Sequence, residues 1–494
     1  MAVAMKMSPL PNNSHEKEEQ QHALEFSYMY GYPLLEYAKY VACYPKASTN
    51  TLYHDRRLST SDDLKVIRPN VDTLYSTIFI DVSSHDLEVT VPSIPDRYWV
   101  FPFYDPYAKP HAIQARFLPI ANLGDSSRYG NNIANIGSLQ GHKPGKYLFR
   151  LASKDFGFFS GPPPEEAGHH CNYLGYINFP TAYGMGLIRI ASTPATEDQK
   201  IVNVYQDQIH VTPVKRLDLQ PVAPALDLSL LITPAYRVSG ENSAAHVVLA
   251  LTAAFAAHNQ SAVIQDRPWI ADLLAKSGIE QGISGKTDLS QIHEYAEAQA
   301  VKLARSPNGR REYGNGWSEL FPGCKGNFNS FYQARYAVGK KGYLALTKDQ
   351  ALYPSLAAPL IIGANEAVLL RFSRRPALVP SGFWSLTAYN SEQYLVPNRI
   401  NRYCLGDRDD MRFADGSSLA DHTKDGEFHI LLQPADLPPP WGWLNNWLPA
   451  PAGGGKLSIT MRWYGAMEEM MSGSYECPKI EHISAITGSP VSRM

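Results

Sequence analysis

The sequence predicts a mainly β protein, with two β-rich domains joined by a helical segment. Three observations carry this reading. Short apolar runs with period-two alternation recur between residues 78 and 214 and again between 367 and 464. No helices alternate with those strands, which indicates a sandwich or barrel rather than a parallel α/β sheet. Between the two blocks, residues 239–305 switch to helical periodicity. At 494 residues the chain also exceeds one ordinary core.

Taken in order, residues 1–14, with Pro9, Pro11 and Asn12, are expected to be disordered. A helix follows from Ser14 to residue 30, is interrupted by Gly31-Tyr32-Pro33, and resumes over 34–44. The first domain, 15–235, then places strands at 78–82, 87–91, 98–104, 147–151, 187–191 and 209–214. Residues 118–141 and 157–172 lack periodicity and are expected to be irregular. Helices at 239–258, 268–276 and 287–305 make up a linking segment, 236–325, whose glycine-rich end at 306–325 marks the boundary. The second domain, 326–494, opens on a helix at 330–337 and continues with strands at 367–372, 382–389, 427–433 and 457–464. In the last of these Leu457, Ile459, Met461 and Trp463 oppose Ser458, Thr460, Arg462 and Tyr464, the pattern of a half-buried strand with a polar outer face. Trp384 and Leu386 should share a core with Met461 and Trp463. The tract 438–447, rich in proline and tryptophan, reads as a loop over a sheet edge.

Composition narrows the function. Lys and Arg number 45 against 47 Asp and Glu, for a net charge of −2. A nucleic-acid or anionic-membrane surface would need clustered cations, so neither partner is expected. No run reaches the length of a membrane helix. Five cysteines, odd in number and dispersed, point to a reducing compartment, and residues 1–21 lack a signal-peptide pattern. The expected location is cytoplasmic. The 29 tyrosines suit strands, pockets and interfaces alike.

Two strand ends could carry chemistry. In Arg68-Pro69-Asn70-Val71-Asp72-Thr73-Leu74-Tyr75, Asp72 could act as a general base while Asn70 or Tyr75 polarises a carbonyl. An Asx turn would explain the same residues without function. Tyr104-Asp105-Pro106-Tyr107 ends an aromatic strand with the same two readings. The candidate catalytic residues are therefore Asp72, Asp105, Tyr75 and Tyr107. Asn70, Tyr104, Trp384 and Tyr389 would line the substrate, with Arg371 or Arg402 reaching across from the second domain. Residues 399–412 alternate Arg with Asp so densely that Arg402, Asp407 and Arg408 are expected to be partly buried and bonded to one another. His169-His170-Cys171 is the one local group of soft ligands. Adjacent histidines rarely hold one ion, so no metal site is expected. With no GxSxG elbow, Walker loop, dinucleotide glycine motif or HExxH, no cofactor is expected.

Several long motifs resemble known families. RPNVDTLYSTIFIDV, VPSIPDRYWVFPFYDPY and INFPTAYG with LIRI resemble the domain of unknown function 1254. FWSLTAYN, NRINRYCLGDRDDM and NWLPAPAGG resemble its usual partner, the domain of unknown function 1214. The resemblance runs from about residue 30 to the C-terminus and implies jelly-roll-like sandwiches. Relatives are often exported, so the N-terminus departs from the pattern. So does Ala108-Lys109, where the family usually has Thr-Asn, which implies a different substrate. The expected function is a cofactor-independent intracellular enzyme acting on an apolar small molecule of secondary metabolism, of cyclase, isomerase or pericyclic type. A hydrolase or lyase with carboxylate-activated water and a non-catalytic binding protein remain open, as does assembly into a homo-oligomer.

Overall fold

A computed structural model describes residues 13–64, 68–106, 132–164, 172–216, 221–232, 241–261, 263–281, 289–306, 309–320, 332–421 and 423–488. The expected disordered N-terminus, the His169–Cys171 group and Tyr107 lie outside these residues, save that residues 13 and 14 open the first helix.

The first domain is built from β1 (Leu52–His54), β2 (Thr73–Asp81), β3 (His85–Val91), β4 (Trp99–Tyr104), β5 (Asn132–Gly137), β6 (Gly145–Leu151), β7 (Gly157–Ser160), β8 (Tyr173–Phe179), β9 (Tyr183–Ala191) and β10 (His210–Lys215). They form two five-stranded sheets, in the orders β1-β2-β9-β4-β5 and β10-β3-β6-β8-β7. Alternation decides which side chains meet between them: Ile78, Ile80, Phe101, Phe103 and Ile190 from one sheet pack on Leu87, Val89, Phe149 and Phe179 from the other. Two expectations fail here. The described part of 118–141 contains β5, and the start of 157–172 is β7. Both strands are short and gain regularity by pairing with distant strands, β4 and β8, so local periodicity carries little trace of them.

The opposite face of the first sheet is also covered. The helices α1 (Asn13–Ala42), α3 (Glu241–Phe255), α4 (Arg267–Ser277), α5 (Ile292–Arg305) and α6 (Tyr332–Gly342) pack together over Phe79, Tyr104, Met185 and Leu187, while α2 (Thr196–Asp207) contacts β2. The helical segment is therefore a third layer on the first domain as well as a link. The break expected at Gly31-Tyr32-Pro33 does not occur, because α1 runs through it with Pro33 inside. Gly31 answers a tertiary demand: a Cβ there would lie 1.6 Å from Thr252 Oγ1 of the crossing α3. Burial of α1 against four helices and the sheet compensates the hydrogen bond lost at proline.

The second domain contains β11 (Arg310–Glu312), β12 (Trp317–Leu320), β13 (Ala351–Leu352), β14 (Ser355–Leu356), β15 (Leu360–Ile362), β16 (Glu366–Phe372), β17 (Leu378–Tyr389), β18 (Cys404–Gly406), β19 (Phe428–Pro434), β20 (Trp447–Ala450), β21 (Gly455–Ala466), the short helix α7 (Glu468–Ser472) and β22 (Lys479–Ser484). An eight-stranded sheet centred on β21 and β17 faces the four-stranded sheet β20-β19-β16-β22. Trp384, Leu386, Met461 and Trp463 meet in the core between them, as their spacing predicts. The 438–447 tract leads into β20, which itself forms the edge by pairing in parallel with β19. Elements cross the expected boundary both ways: β11 and β12 join the second domain's sheet, and α6 packs on α1. Among the described residues, no helix is long and apolar enough to cross a membrane.

The expected polar outer face of β21 is not at the surface. Thr460, Arg462 and Tyr464 are buried, as are Phe383, Ser385, Thr387 and Tyr389 of β17, and Arg462, Tyr464, Phe383, Ser385 and Tyr389 meet the first domain. Phe383 and Tyr464 pack on Tyr98, Val100 and Ala191. This places a polar, buried seam between the two domains.

Candidate functional site

The seam grips the segment 68–72 just before β2. Arg462 donates to Thr387 Oγ1 and to Tyr389 Oη, each at 2.6 Å, and to the Arg68 carbonyl at 3.4 Å. Tyr389 donates to the Pro69 carbonyl at 3.0 Å, and Asn70 Nδ2 to Tyr464 Oη at 2.6 Å. Asn70 Oδ1 accepts the Asp72 amide, which closes an Asx turn on Asn70. The Asp72 carboxylate is thereby released from local bonding and points into the second domain. It accepts from Ser385 Oγ at 2.6 Å and from Arg408 Nη2 at 2.7 Å, with Cys404 Sγ at 3.9 Å. Asp72 is 0% exposed. Arg408 completes the clamp by donating to the carbonyls of Asp72 and Ser192 while its guanidinium lies 4.1 Å over the Phe383 ring.

Immediately beside this clamp the domains part. A cleft of about 1080 Å³ opens between the 56–62 loop and α2 on one side and residues 397–409 on the other. Val71, Cys404 and Asp409 reach it from the clamp side. Ser61 and Tyr403 span it with hydroxyls 3.2 Å apart. Three aspartates now surround Arg408. Burial pushes the Asp407 carboxyl up to about 7, against the pull of Arg408 and of the Trp384 amide that it accepts from. Burial also raises Asp409, one of whose oxygens accepts the Gly406 amide at 2.7 Å. Burial pushes the Cys404 thiol up as well, so it is a neutral neighbour rather than a thiolate. Arg402 borders the cleft and donates to the carbonyls of Leu444 and Trp447.

The candidates chosen from sequence separate into groups. Asn70, Asp72 and Tyr389 belong to the seam. Tyr75 and Tyr104 surround a different cation, Arg189, whose guanidinium sits 5.6 Å from the Tyr75 ring. Arg189 and Tyr104 both donate to the Leu344 carbonyl, at 2.7 and 3.0 Å, and burial raises the pKa of both tyrosines. Asp105 is buried toward the helical layer, where its charge acts on Tyr30 and Tyr343. Trp384 is in the second domain's core. Arg371 lies on the outer face of the four-stranded sheet, bound to Glu481 at 2.5 Å, because its neighbours Leu370 and Phe372 take the inward positions. The expected mutual bonding of Arg402, Asp407 and Arg408 is not formed. Each is partly buried, but their partners are main-chain groups and Asp72, which satisfy irregular backbone better than three charges could satisfy one another.

Sequence reasoning passed over Ser385, Arg462, Arg189 and Ser192. For Ser385 and Arg462 the polar alternation on β17 and β21 is the one visible signal; Arg189 on β9 and Ser192 just after it carry none. Among the described residues, no group of three His, Cys, Asp or Glu side chains is placed to hold a metal ion.

Comparison with known proteins adds fold and family. The crystal structure of a Vibrio parahaemolyticus protein is similar over 94% of this chain and 100% of its own, with a TM-score of 0.55 at 19% identity. An uncharacterised Burkholderia cenocepacia protein aligns over 95% of this chain and 96% of its own, with a TM-score of 0.42 and 11% identity. No curated protein matches the chain. The model of the protein of unknown function DUF1254 matches residues 49–213, and that of DUF1214 matches residues 363–468. The chain therefore belongs to the family of proteins that join a DUF1254 domain to a DUF1214 domain.

Proposed function

We propose that the protein is an acid–base enzyme that isomerises or cyclises a small molecule in the cleft between its domains. One observation carries this reading: Asp409 faces that cleft with one oxygen held by the Gly406 amide and the other making no bond among the described residues. A carboxyl that is oriented by its own backbone, half-buried and next to a guanidinium can give a proton to a substrate and take it back. Burial raises its pKa, which matches it to work nearer neutrality than an ordinary aspartate. Arg408, fixed by Asp72, supplies positive charge where negative charge would develop. Asp72 is a positioning residue in this scheme. We also propose a cytoplasmic location, which the thiols of Cys404 and Cys477 support.

The test is to incubate purified protein with a metabolite extract and follow all masses by chromatography and mass spectrometry. Isomerisation or cyclisation replaces one feature by another of equal mass at a new retention time. Asp409→Asn should slow that conversion by about 10²–10⁴-fold while leaving the chain folded. Two products whose masses sum to the substrate plus one water would mark a hydrolase instead. A ligand retained and returned unchanged would mark a binding protein, and full activity in Asp409→Asn would remove the assignment.

A further inference from the structure

We infer that the molecule taken by this cleft carries an acidic group, a carboxylate, sulfonate or phosphate, on an otherwise apolar body, and that Arg402 and Arg399 hold that group. The inference rests on the cleft's being the functional site proposed above. It follows from how the cations along the cleft are matched. Arg56 is paired with Asp207 at 2.5 Å, Arg57 with Asp63 at 2.6 Å, and Lys200 with Glu197 at 2.7 Å. Among the described residues, Arg399 and Arg402 make no hydrogen bond or ion pair to a carboxylate; Asp409 acts on Arg402 through its charge alone.

Arg402 is the telling one. It is half-buried, and one terminal nitrogen serves both carbonyls, of Leu444 and Trp447. Its Nε and Nη2 donors make no bond among the described residues. A guanidinium presents its donors as a planar fork suited to two oxygens of one anion. A partly desolvated cation bonded only to carbonyls, with Asp409 acting on it without a hydrogen bond, is costly, and burial lowers its pKa despite that aspartate. An incoming anion would remove that cost.

The supporting loop is rigid enough to present the fork. Asn398 Nδ2 donates to the carbonyls of Val396 and Arg402, both at 2.9 Å, and its Oδ1 accepts the Arg402 amide at 3.0 Å. Arg399 lies inside this bracket and is exposed at the cleft. Leu58, Val71 and Ile400 supply apolar surface on the same cleft. Anion at the loop, apolar body across the cleft and reacting atom at Asp409 therefore fit one molecule.

The experiment compares two dyes of one ring system, 8-anilinonaphthalene-1-sulfonate and uncharged N-phenyl-1-naphthylamine, by fluorescence titration of the full chain. The anionic dye should bind saturably and more tightly than the neutral one. Arg402→Gln should weaken the anionic dye about tenfold, the loss expected for a charged hydrogen bond, and leave the neutral dye unchanged. Arg399 is exposed and its side chain makes no hydrogen bond or ion pair among the described residues, so Arg399→Gln should leave the loop folded and weaken the anionic dye about threefold. No saturable binding of the anionic dye, or binding unmoved by either substitution, overturns the inference. Asp409→Asn separates this from the catalytic proposal. Turnover kept in Asp409→Asn with the arginine effects intact sinks the catalysis alone, whereas turnover lost with no arginine effect sinks the anion site alone.

Discussion

The interface between the two domains has two adjoining halves, the seam and the cleft, and they are finished differently. In the seam, Asn70, Asp72, Ser385, Tyr389 and Arg462 are all buried and bonded across the interface, and Thr387 is buried among them and bonded to Arg462. In the cleft, Asp409, Arg402 and Arg399 stand at the same interface with donors or acceptors still unspent. Arg408 lies between, with one guanidinium edge bound to Asp72 and three aspartates around it. A polar group buried for stability must find its partners inside the fold, while one retained for a ligand is left short of them. The difference separates the two roles more sharply than residue type does, since both halves are made of Asp, Arg and Tyr.

The strongest way to break this comparison is to remove the residue that joins the halves. Arg408→Met leaves the Asp72 carboxylate, 0% exposed, without its cation, and should cost about 3–5 kcal/mol. Chemical denaturation would read this as a lowered midpoint. A midpoint close to wild type would mean that Asp72 does not depend on Arg408. Adding Asp72→Asn to Arg408→Met should restore part of the loss, because the uncompensated charge is then gone. A smaller effect is expected from Ser385→Ala, which removes one bond to the same carboxylate and should cost about 1–3 kcal/mol. Substitution at the open half, Arg399→Gln, should leave the midpoint within about 0.5 kcal/mol of wild type. If Arg399→Gln destabilised as much as Ser385→Ala, the two halves would not differ in the way described.

Legibility from sequence followed the same division between local and distant causes. The core between the second domain's sheets could be read from alternation alone, because Trp384, Leu386, Met461 and Trp463 need only a period of two. The opposite face of β21 reads from sequence as a polar outer face, yet it is buried. Its polar residues are what a solvated face shows, and only the first domain's presence buries them. Gly31 and Pro33 likewise look like a helix break until α3 is placed against them. The charged loop was visible as a dense run of Arg and Asp, but its key partner, Asp72, lies 336 residues before Arg408. No spacing rule connects positions that far apart, so sequence alone pairs the loop's charges with one another.

A last expected effect sharpens the comparison through pH. Burial raises Asp407 from its ordinary 3.8 to about 7, so the native state binds this proton more tightly than the unfolded chain does. The stabilisation from that proton is complete below the unfolded value and is lost as pH rises through about 7. Asp409, raised by the same cause, contributes with the same sign. Stability of the wild-type chain should therefore carry a component that falls as pH is raised from about 4 to 7. Asp407→Asn cannot ionise, so its profile over that range should be flatter, and its standing relative to wild type should improve toward alkaline pH. Denaturation midpoints measured at half-unit pH steps for both chains give the comparison directly. Parallel profiles would show that the Asp407 carboxyl titrates at its ordinary value, and that the surroundings of Arg408 are better solvated than the burial of Asp407 beside Trp384 implies.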